Sequence, residues 1–299
     1  MEYSKNPLTY DEQVDLLISR GLRVDRETLI QILKNVNYYR LTGYLYPFRK
    51  NFGEKDEFLE DTSFSTVWRH YTFDRQIKLL LLDAIERIEI ALRTRIVYYF
   101  VHSFGQFGYL NFNNFPYLKK DQYDNFCLKI KDELERSNEV FISHFFEKYG
   151  DKHEMPPLWI VCELFSFGQL LTFYRGVSKE IKRELSRDLK IPDVVLFSWL
   201  ICLNNIRNSC AHHARVWNKN FKIKLPTNKD KYPEWFNISR SEINKLFVIL
   251  TVLKYLLKIT APNSKWHKRL YSLLDEYRDI PLENMGFPES WKTLSFWRE

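Results

Sequence analysis

The residues best suited to chemistry lie together in one short segment, directly after an apolar stretch. They are Arg207, Asn208, His212, His213 and Arg215. Imidazole takes up and releases protons near neutral pH. Guanidinium is a permanent cation whose N–H groups fit two phosphate oxygens at once. A segment that carries both groups has the side chains needed to cleave a phosphodiester without a metal ion.

The apolar stretch before this segment predicts the helix that must position it. Large apolar residues recur there at helical spacing, at Val195, Leu196, Trp199, Leu200, Leu203 and Ile206. Pro192 is predicted to open the helix, at a position where its missing N–H does no harm.

The spacing of the polar residues raises a geometric problem. On an ideal helix Asn208 and His212 share a face, whereas Arg207 lies about 140° away from His212. Either the helix ends or bends within the segment, or Arg207 meets the His212 of a second copy across a two-fold axis.

The pattern Arg207-Asn208-x-x-x-His212 resembles the signature of HEPN ribonucleases, an arginine followed after four residues by a histidine. The longer string LNNIRNSCAHHARVWN, at residues 203–218, is similar to the abortive-infection (Abi) family of bacterial HEPN proteins, of the AbiD/AbiF type. Further segments that resemble this family are NPLTYDEQVDLLISRGL (6–22), NVNYYRLTGYLYPF (35–48), YTFDRQIKLLLLDAIERIEIALRTRI (71–96), PPLWIVCELFSFGQL (156–170) and GFPESWKTLSFW (286–297).

The resemblance implies an RNA-cleaving or RNA-binding phage-defence protein that works as a homodimer, with its cleft where two motif helices face each other. In a toxin-like, metal-independent endoribonuclease, His212 would act as general acid or base. Arg207 would stabilise the charge of the transition state, and Asn208 would hold the imidazole or a phosphate oxygen. The expected products carry 2′,3′-cyclic phosphate and 5′-hydroxyl ends, and DNA should survive. The alternative is a non-catalytic protein that holds a structured small RNA, and a toxin restrained by its own RNA would show both behaviours.

Several neighbours are candidate supporting or RNA-binding residues. His213 projects away from His212 and is a helix-end or RNA-contacting residue rather than a second catalyst. Arg215 and Lys219 could contact phosphates, although a solvated charge is the common explanation for such residues. Stacking of RNA bases is the functional interpretation of a surface formed by Tyr38, Tyr39, Arg40, Tyr44 and Tyr46, and Trp217 is a further aromatic residue that could stack an unpaired base. The structural interpretation of residues 37–48, with Gly43 and Pro47, is a packing turn.

A predicted long helix over Phe64–Phe104 carries a second group of candidates. Its apolar stripe is expected to contain Leu79, Leu82, Ile85, Ile88, Leu92 and Ile96. Glu89 and Arg93 are four residues apart, so they can form an ordinary ion pair within the helix. Alternatively, the acidic row with Glu86 and Glu89 faces the motif helix and orients Arg207 or His212.

The remaining patterns predict an all-α fold. The family resemblance implies that this fold is a HEPN-like helical bundle with an N-terminal helical appendage. Helices are expected over residues 9–22, with a Thr9–Glu12 capping box, and over 26–35, 121–149, 159–174 and 240–257, the last capped by Ser239 or Ser241. Residues 51–62 are polar and predict a linker. The predicted parts are an appendage at 1–60, a HEPN-like domain at 61–262 and a C-terminal segment at 263–299 that packs on the core.

Composition bounds the partners and the location. The net charge of +7 favours a polyanion such as RNA without proving one. The four cysteines lack paired spacing, and Cys162 and Cys202 stand among apolar neighbours, so we expect buried free thiols in a reducing cytoplasm. Adjacent histidines project apart, and no carboxylate or thiolate stands at ligand spacing, so no metal or other cofactor is predicted. The first residues lack the apolar core of a signal peptide, and no apolar run is long enough to cross a membrane, so no membrane partner is expected.

Overall fold

The computed structural model describes residues 2, 6–50, 57–226 and 243–298. Within them lie twelve α-helices and no β-strand beyond two isolated bridges, Arg23 with Ser63 and Arg49 with Phe58. The predicted all-α fold is confirmed. The helices are α1 (Tyr10–Ser19), α2 (Arg26–Leu33), α3 (Tyr38–Leu45), α4 (Phe64–Phe104), α5 (Lys120–Arg136), α6 (Val140–Tyr149), α7 (Leu158–Val161), α8 (Phe167–Gly176), α9 (Lys179–Leu189), α10 (Asp193–Ala211), α11 (Leu246–Thr260) and α12 (Trp266–Glu276).

Local capping signals set several helix ends where the sequence predicts them. Thr9 and Glu12 form the expected capping box at the start of α1. Ser63 accepts a hydrogen bond from the Thr66 amide, so α4 begins at Phe64, and Gly105, with a φ of 76°, ends it. Pro192 is the N-cap of α10. These ends depend on neighbouring residues alone, which is why the sequence predicts them.

The long helix α4 is the scaffold of the fold, because α3, α10, α11 and α12 all pack along it. Ile85, Ile88, Leu92 and Ile96 are buried as predicted. The prediction is wrong for Leu79, which is 54% exposed, and Leu82 is only half-buried. The buried face is shifted by one residue because Lys78 lies inside, where its ammonium pairs with the buried carboxylate of Asp74.

Two predicted helices are each interrupted. Residues 121–149 form α5 and α6, because Ser137 takes an extended backbone and its hydroxyl accepts a hydrogen bond from the Glu139 amide at 3.2 Å. Residues 159–174 form α7, a 3₁₀ turn over Cys162–Leu164 and α8. Ser166 caps α8 in a capping box with Gln169. The break leaves the Phe165 carbonyl to accept a hydrogen bond from Arg93 of α4 at 2.9 Å.

The aromatic segment at residues 37–48 is helical rather than a turn. The Asn37 side chain accepts a hydrogen bond from the Tyr39 amide and starts α3, and Gly43 lies inside the helix. This helix packs on α4 through Leu41, Tyr44 and Leu45. Of the predicted linker, residues 51–56 lie outside the described part, and Phe58 is buried.

The C-terminal part contains a helix that the sequence patterns do not predict, α12. Its Trp266 is buried and donates its indole N–H to the Leu80 carbonyl of α4 at 2.8 Å. Trp291 and Trp297 of the tail are buried, so the tail folds back on the core as expected. The start of α11 differs from the prediction, and the proposed caps Ser239 and Ser241 lie outside the described residues. The three-part division of the chain stays a prediction.

None of the helices in the described ranges has both the length and the apolar character of a single membrane span. Among the helices that the structure describes, one pair, α9 with α10, passes by length and composition when taken together, and its two helices are bent by 80° relative to each other.

Candidate functional site

The helix α10 positions the motif by burying one face and leaving its last turn at the surface. Leu196, Trp199, Leu203 and Ile206 are fully buried, and the helix packs against α4, α8 and α9. This burial fixes the helix in the bundle, at roughly 1.5–3 kcal/mol for each large apolar side chain. At the end of the buried stripe, the Arg207 side chain is exposed and Asn208 is half-buried.

The helix ends within the motif, which is one of the two arrangements that the sequence allows. His212 is the C-cap, and His213 takes a left-handed conformation with a φ of 57°. The His213 amide donates to the Cys210 carbonyl at 3.0 Å, and the Ala214 amide donates to the Ser209 carbonyl at 2.8 Å. These two bonds define a Schellman ending, in which glycine usually occupies the left-handed position. His213 therefore acts as the structural end of the helix.

The ending does not bring Arg207 beside His212. The His212 amide still donates to the Asn208 carbonyl at 2.9 Å, so His212 keeps its helical register and Arg207 remains on another face. The Arg207 guanidinium instead donates to the Asn208 side-chain oxygen at 3.3 Å. Within one chain, Arg207 and His212 are thus both bonded to Asn208, the Arg207 guanidinium to its side-chain oxygen and the His212 amide to its backbone carbonyl.

The chain that follows α10 is held by a buried carboxylate, that of Asp74 in α4. One oxygen of Asp74 accepts from the amides of Val216 and Trp217, at 3.0 and 2.6 Å. The other accepts from the Tyr44 hydroxyl at 2.6 Å and pairs with the Lys78 ammonium at 3.1 Å. Asp74 is fully buried, so its charge is compensated by these four donors rather than by water. We call these five residues the Asp74 cluster.

Two cations bind backbone carbonyls of this loop, and a third cation, which belongs to the loop, binds a backbone carbonyl of α3. Arg40 of α3 donates to the His213 carbonyl at 2.6 Å, and Lys78 to the Ala214 carbonyl at 3.5 Å. Arg215 donates back to the Gly43 carbonyl of α3 at 2.7 Å. Cations at a helix C-terminus interact favourably with its dipole. Loop residues 213–217 are therefore tied to both α3 and α4.

The proposed base-stacking surface is only partly present. Tyr44 and Trp217 are each about 1% exposed, so the expectation that they stack RNA bases is wrong. Trp217 instead packs edge-to-face on the His70 ring, with centroids 4.6 Å apart. Tyr39 is 85% exposed, and half-buried Tyr38 accepts a hydrogen bond from Arg20 through its hydroxyl.

The acidic row of α4 contributes one residue near the motif. Glu89 accepts a hydrogen bond from Arg93 at 2.8 Å, as the ion-pair interpretation predicts. Burial raises the pKa of the Glu89 carboxyl, whereas the charges of Arg93 and Arg207 lower it, which places Arg207 within electrostatic reach of Glu89. Glu86 is exposed on the same helix. Glu89 thus compensates charge on both arginines without a hydrogen bond to Arg207 among the described contacts.

Two other groups beside the loop lack the properties of a reactive centre. The His70 Nδ1 donates to the Thr66 carbonyl at 2.8 Å, and burial lowers the pKa of its imidazole. Burial raises the pKa of the Cys210 thiol to about 12, so it stays protonated. Cys162 and Cys202 are buried and free, as predicted. In the described ranges, no three His, Cys, Asp or Glu side chains come together in a group that could hold a metal ion.

The sequence reasoning missed the Asp74 cluster, although one signal was available. Asp74 and Lys78 stand between the buried residues Phe73, Ile77 and Leu81, so both charges lie at core positions of α4. Charged residues rarely occupy such positions unless they are paired. Their four-residue spacing in an apolar stripe therefore indicates a buried pair.

The arrangement presents an arginine, an amide and an imidazole on the surface at the end of a rigidly held helix. Lys219 lies nearby, with its ammonium 3.4 Å from the Ser209 hydroxyl. No hydrogen bond to the His212 side chain is found among the described residues, and this imidazole is exposed. The side chains of Arg207, His212 and Lys219 are each open to a phosphate group from solvent, with Arg207 on a different face of the helix from His212.

Comparison with known proteins gives one finding. Residues 31–218 match the model of a family described as Abi-like protein, a range that includes α3, α4, α10 and the Asp74 cluster. No curated protein and no solved structure gives a significant match.

Proposed function

Because the chain belongs to the Abi-like family, we propose that it acts as a metal-independent endoribonuclease of the HEPN type. Membership of this family supports a role in phage defence by abortive infection, in which a toxin-like activity arrests the infected cell. The proposed substrate is RNA, and the proposed centre is Arg207, Asn208 and His212.

The observation that supports this proposal is the contrast in burial at the end of α10. The apolar residues of the helix and the loop after it hold the fold, whereas Arg207 and His212 are exposed. Exposed polar side chains add little to stability, so the fold does not require these residue types. Their chemistry does fit phosphodiester cleavage.

In the proposed reaction, the His212 imidazole removes the proton of the RNA 2′-hydroxyl, whose oxygen attacks the adjacent phosphorus. The 5′-oxygen of the next nucleotide leaves and takes up the proton that the imidazole had accepted, so the two ends are a 2′,3′-cyclic phosphate and a 5′-hydroxyl. The Arg207 guanidinium stabilises the charge that gathers on the phosphate oxygens, and the Asn208 amide orients the imidazole or a phosphate oxygen. DNA lacks the attacking hydroxyl and is not cleaved.

The separation of Arg207 and His212 within one chain supports a composite site between two copies. Val194 and Ile201 of α10 are 59% and 40% exposed. Val194, Ile201 and Asn208 follow one another at intervals of seven residues. Residues seven apart lie on nearly the same face of a helix. Pairing of two α10 helices along this face would cover the apolar side chains and bring the Arg207 of one copy toward the His212 of its partner.

A second candidate function is a non-catalytic protein that holds a structured small RNA. The exposed Tyr39, in the helix whose Arg40 is bonded to the motif loop, favours this alternative because an exposed aromatic ring can stack an unpaired base. The two functions are compatible, since a bound RNA could restrain the nuclease. Sequencing the RNA that co-purifies with the wild-type protein and with His212→Ala identifies such a ligand.

The direct test of the reaction is cleavage by the purified full chain. We expect RNA fragments with 2′,3′-cyclic phosphate ends, no loss of activity in EDTA, no cleavage of DNA of the same sequence, and a loss of at least about 100-fold in His212→Ala. The matched controls are His144→Ala and Arg183→Ala, which remove the same side chains from exposed positions on α6 and α9. Equal cleavage by wild type and His212→Ala would contradict the assignment.

The composite site has its own test, in which inactive Arg207→Ala and His212→Ala proteins are mixed. A site that takes its arginine from one copy and its histidine from the other is restored in a fraction of the mixed dimers. Full activity in a protein that light scattering shows to be a monomer would rule out the composite site.

A further inference from the structure

A basic cavity lies outside the part of the chain that matches the family model. It has a volume of about 390 Å³ and is formed by residues 254–298, between α11, α12 and the C-terminal segment. Its basic lining residues are Lys254, Lys258, His267 and Arg298. The family match ends at residue 218, so the cavity belongs to a part of the molecule that this match does not cover.

The charged side chains among the described residues that line the cavity are those of lysine and arginine. Lys254 and Lys258 are four residues apart on α11, a spacing at which like charges repel each other. Arg298 adds a third permanent cation from the tail, and no aspartate or glutamate among the described residues lines the cavity. A phosphate that contacts both Lys258 and Arg298 would gain two charge-assisted interactions.

The cavity offers hydroxyl groups and aromatic rings beside the cations. Ser264 and Ser295 line it and can donate hydrogen bonds to phosphate oxygens. Phe296 contributes a half-buried ring to the wall, and buried Trp266 is held in place by its bond to the Leu80 carbonyl. An anionic group and a flat ring are thus both accommodated, and the volume falls in the usual range of small-molecule sites, about 300–1,000 Å³.

We propose that this cavity binds a nucleotide, with its phosphate held by Lys258 and Arg298 and its base against Phe296. The ammonium of Lys254 lies 4.7 Å from the centre of the Trp297 ring and 5.4 Å from that of Phe296, so the aromatic wall and the cationic wall meet at this residue. A free mononucleotide and the phosphorylated end of an RNA strand carry the same chemistry. The inference does not depend on the proposed ribonuclease activity, because the motif residues do not line the cavity.

Calorimetric titration of the full chain with AMP, adenosine and inorganic phosphate tests the site. We expect AMP to bind more tightly than either adenosine or phosphate, because only AMP uses both walls. Lys258→Glu should weaken AMP binding by about ten-fold or more, since a charge-assisted contact becomes a repulsion. The matched control is Lys268→Glu, the same charge reversal at an exposed position of α12 outside the cavity, which should bind as wild type does.

Each other outcome overturns the proposal. No heat of binding with AMP, GMP, CMP or UMP at millimolar concentration would remove the site. Equal weakening in Lys258→Glu and Lys268→Glu would show that only the overall charge matters. Equal affinity for AMP and phosphate would reduce the cavity to an anion site and contradict the role of Phe296.

A competition experiment distinguishes a free nucleotide from an RNA end. A short single-stranded RNA with a 5′-phosphate should displace AMP, and the same RNA with a 5′-hydroxyl should not, if RNA ends are the ligand. Displacement by neither RNA assigns the cavity to free nucleotides. His212→Ala should bind AMP with wild-type affinity, so failure of the nuclease proposal would leave this result unchanged.

Discussion

The loop at residues 213–217 and the last turn of α10 adjoin each other, but the loop is bonded to the rest of the fold and the last turn exposes its motif side chains. The loop is bonded to Asp74, Lys78 and Arg40, and its Trp217 is buried. The last turn exposes Arg207 and His212, and the contact of the Arg207 guanidinium with Asn208 is a long one.

The stabilising hydrogen bonds of this region are made mainly by the loop backbone rather than by the side chains of the motif. A fully buried carboxylate is unfavourable unless it is paired and hydrogen-bonded. One oxygen of Asp74 holds the loop backbone, and the other accepts from Tyr44 and pairs with Lys78. The motif side chains therefore project from a fixed backbone, and they are not themselves used to hold that backbone in place. Such a division is expected where side chains must meet a ligand and keep their position.

The largest effect should follow from removing the carboxylate of the anchored region. Asp74→Ala leaves Lys78 buried without its partner, so we expect the free energy of unfolding in urea to fall by about 3–5 kcal/mol. The matched control is Asp124→Ala, which also removes an aspartate paired with a lysine four residues away, but at the surface of α5. That control should lose less than about 1 kcal/mol. Equal losses in the two variants would show that the Asp74 cluster does not anchor the loop.

A smaller effect should follow from acid, through His70. Burial lowers the pKa of its imidazole below the ordinary value of 6.5, so the unfolded chain binds the proton more readily than the folded one. Stability from this group is complete above pH 6.5 and is lost as the pH falls from there through the folded pKa. Urea unfolding between pH 7.5 and 5 should show this loss, and His70→Asn should flatten that part of the curve. An unchanged slope in the variant would assign the acid sensitivity to other groups.

A still smaller change in the free energy of unfolding, and one of opposite sign, is expected at His213, where α10 meets the loop. His213 occupies the left-handed position that glycine prefers, so His213→Gly should raise the free energy of unfolding by about 0.5–1 kcal/mol. Growth arrest on overexpression should persist, because His213 ends the helix and is not assigned to the reaction. Loss of growth arrest with a stable protein would move His213 into the catalytic group.

The sequence predicts those parts of the fold that local signals control. The ends of α4 follow from Ser63 and Gly105, and the course of α10 follows from its apolar stripe. The break after α5 was missed because the short polar segment at Ser137 resembles an exposed helical turn when only periodicity is considered.

The site was predictable only in part for a related reason. Arg207, Asn208 and His212 could be selected by residue type and spacing, which the sequence shows directly. The buried state of Asp74, Tyr44 and Trp217 depends on contacts between residues as far as 143 positions apart in the chain. The four-residue spacing of a carboxylate and a lysine does not by itself distinguish a buried pair from a surface pair, and only the apolar neighbours of Asp74 and Lys78 indicate that this pair is inside.

Arg207→Ala and His212→Ala together decide whether the last turn of α10 serves chemistry while the loop serves the fold. Both free energy of unfolding and growth arrest on overexpression should be measured for the same two proteins at equal expression. We expect the free energy of unfolding to stay within about 0.5 kcal/mol of wild type and growth arrest to be abolished in both. Full growth arrest in either variant, or a loss of stability comparable to that of Asp74→Ala, would contradict this account.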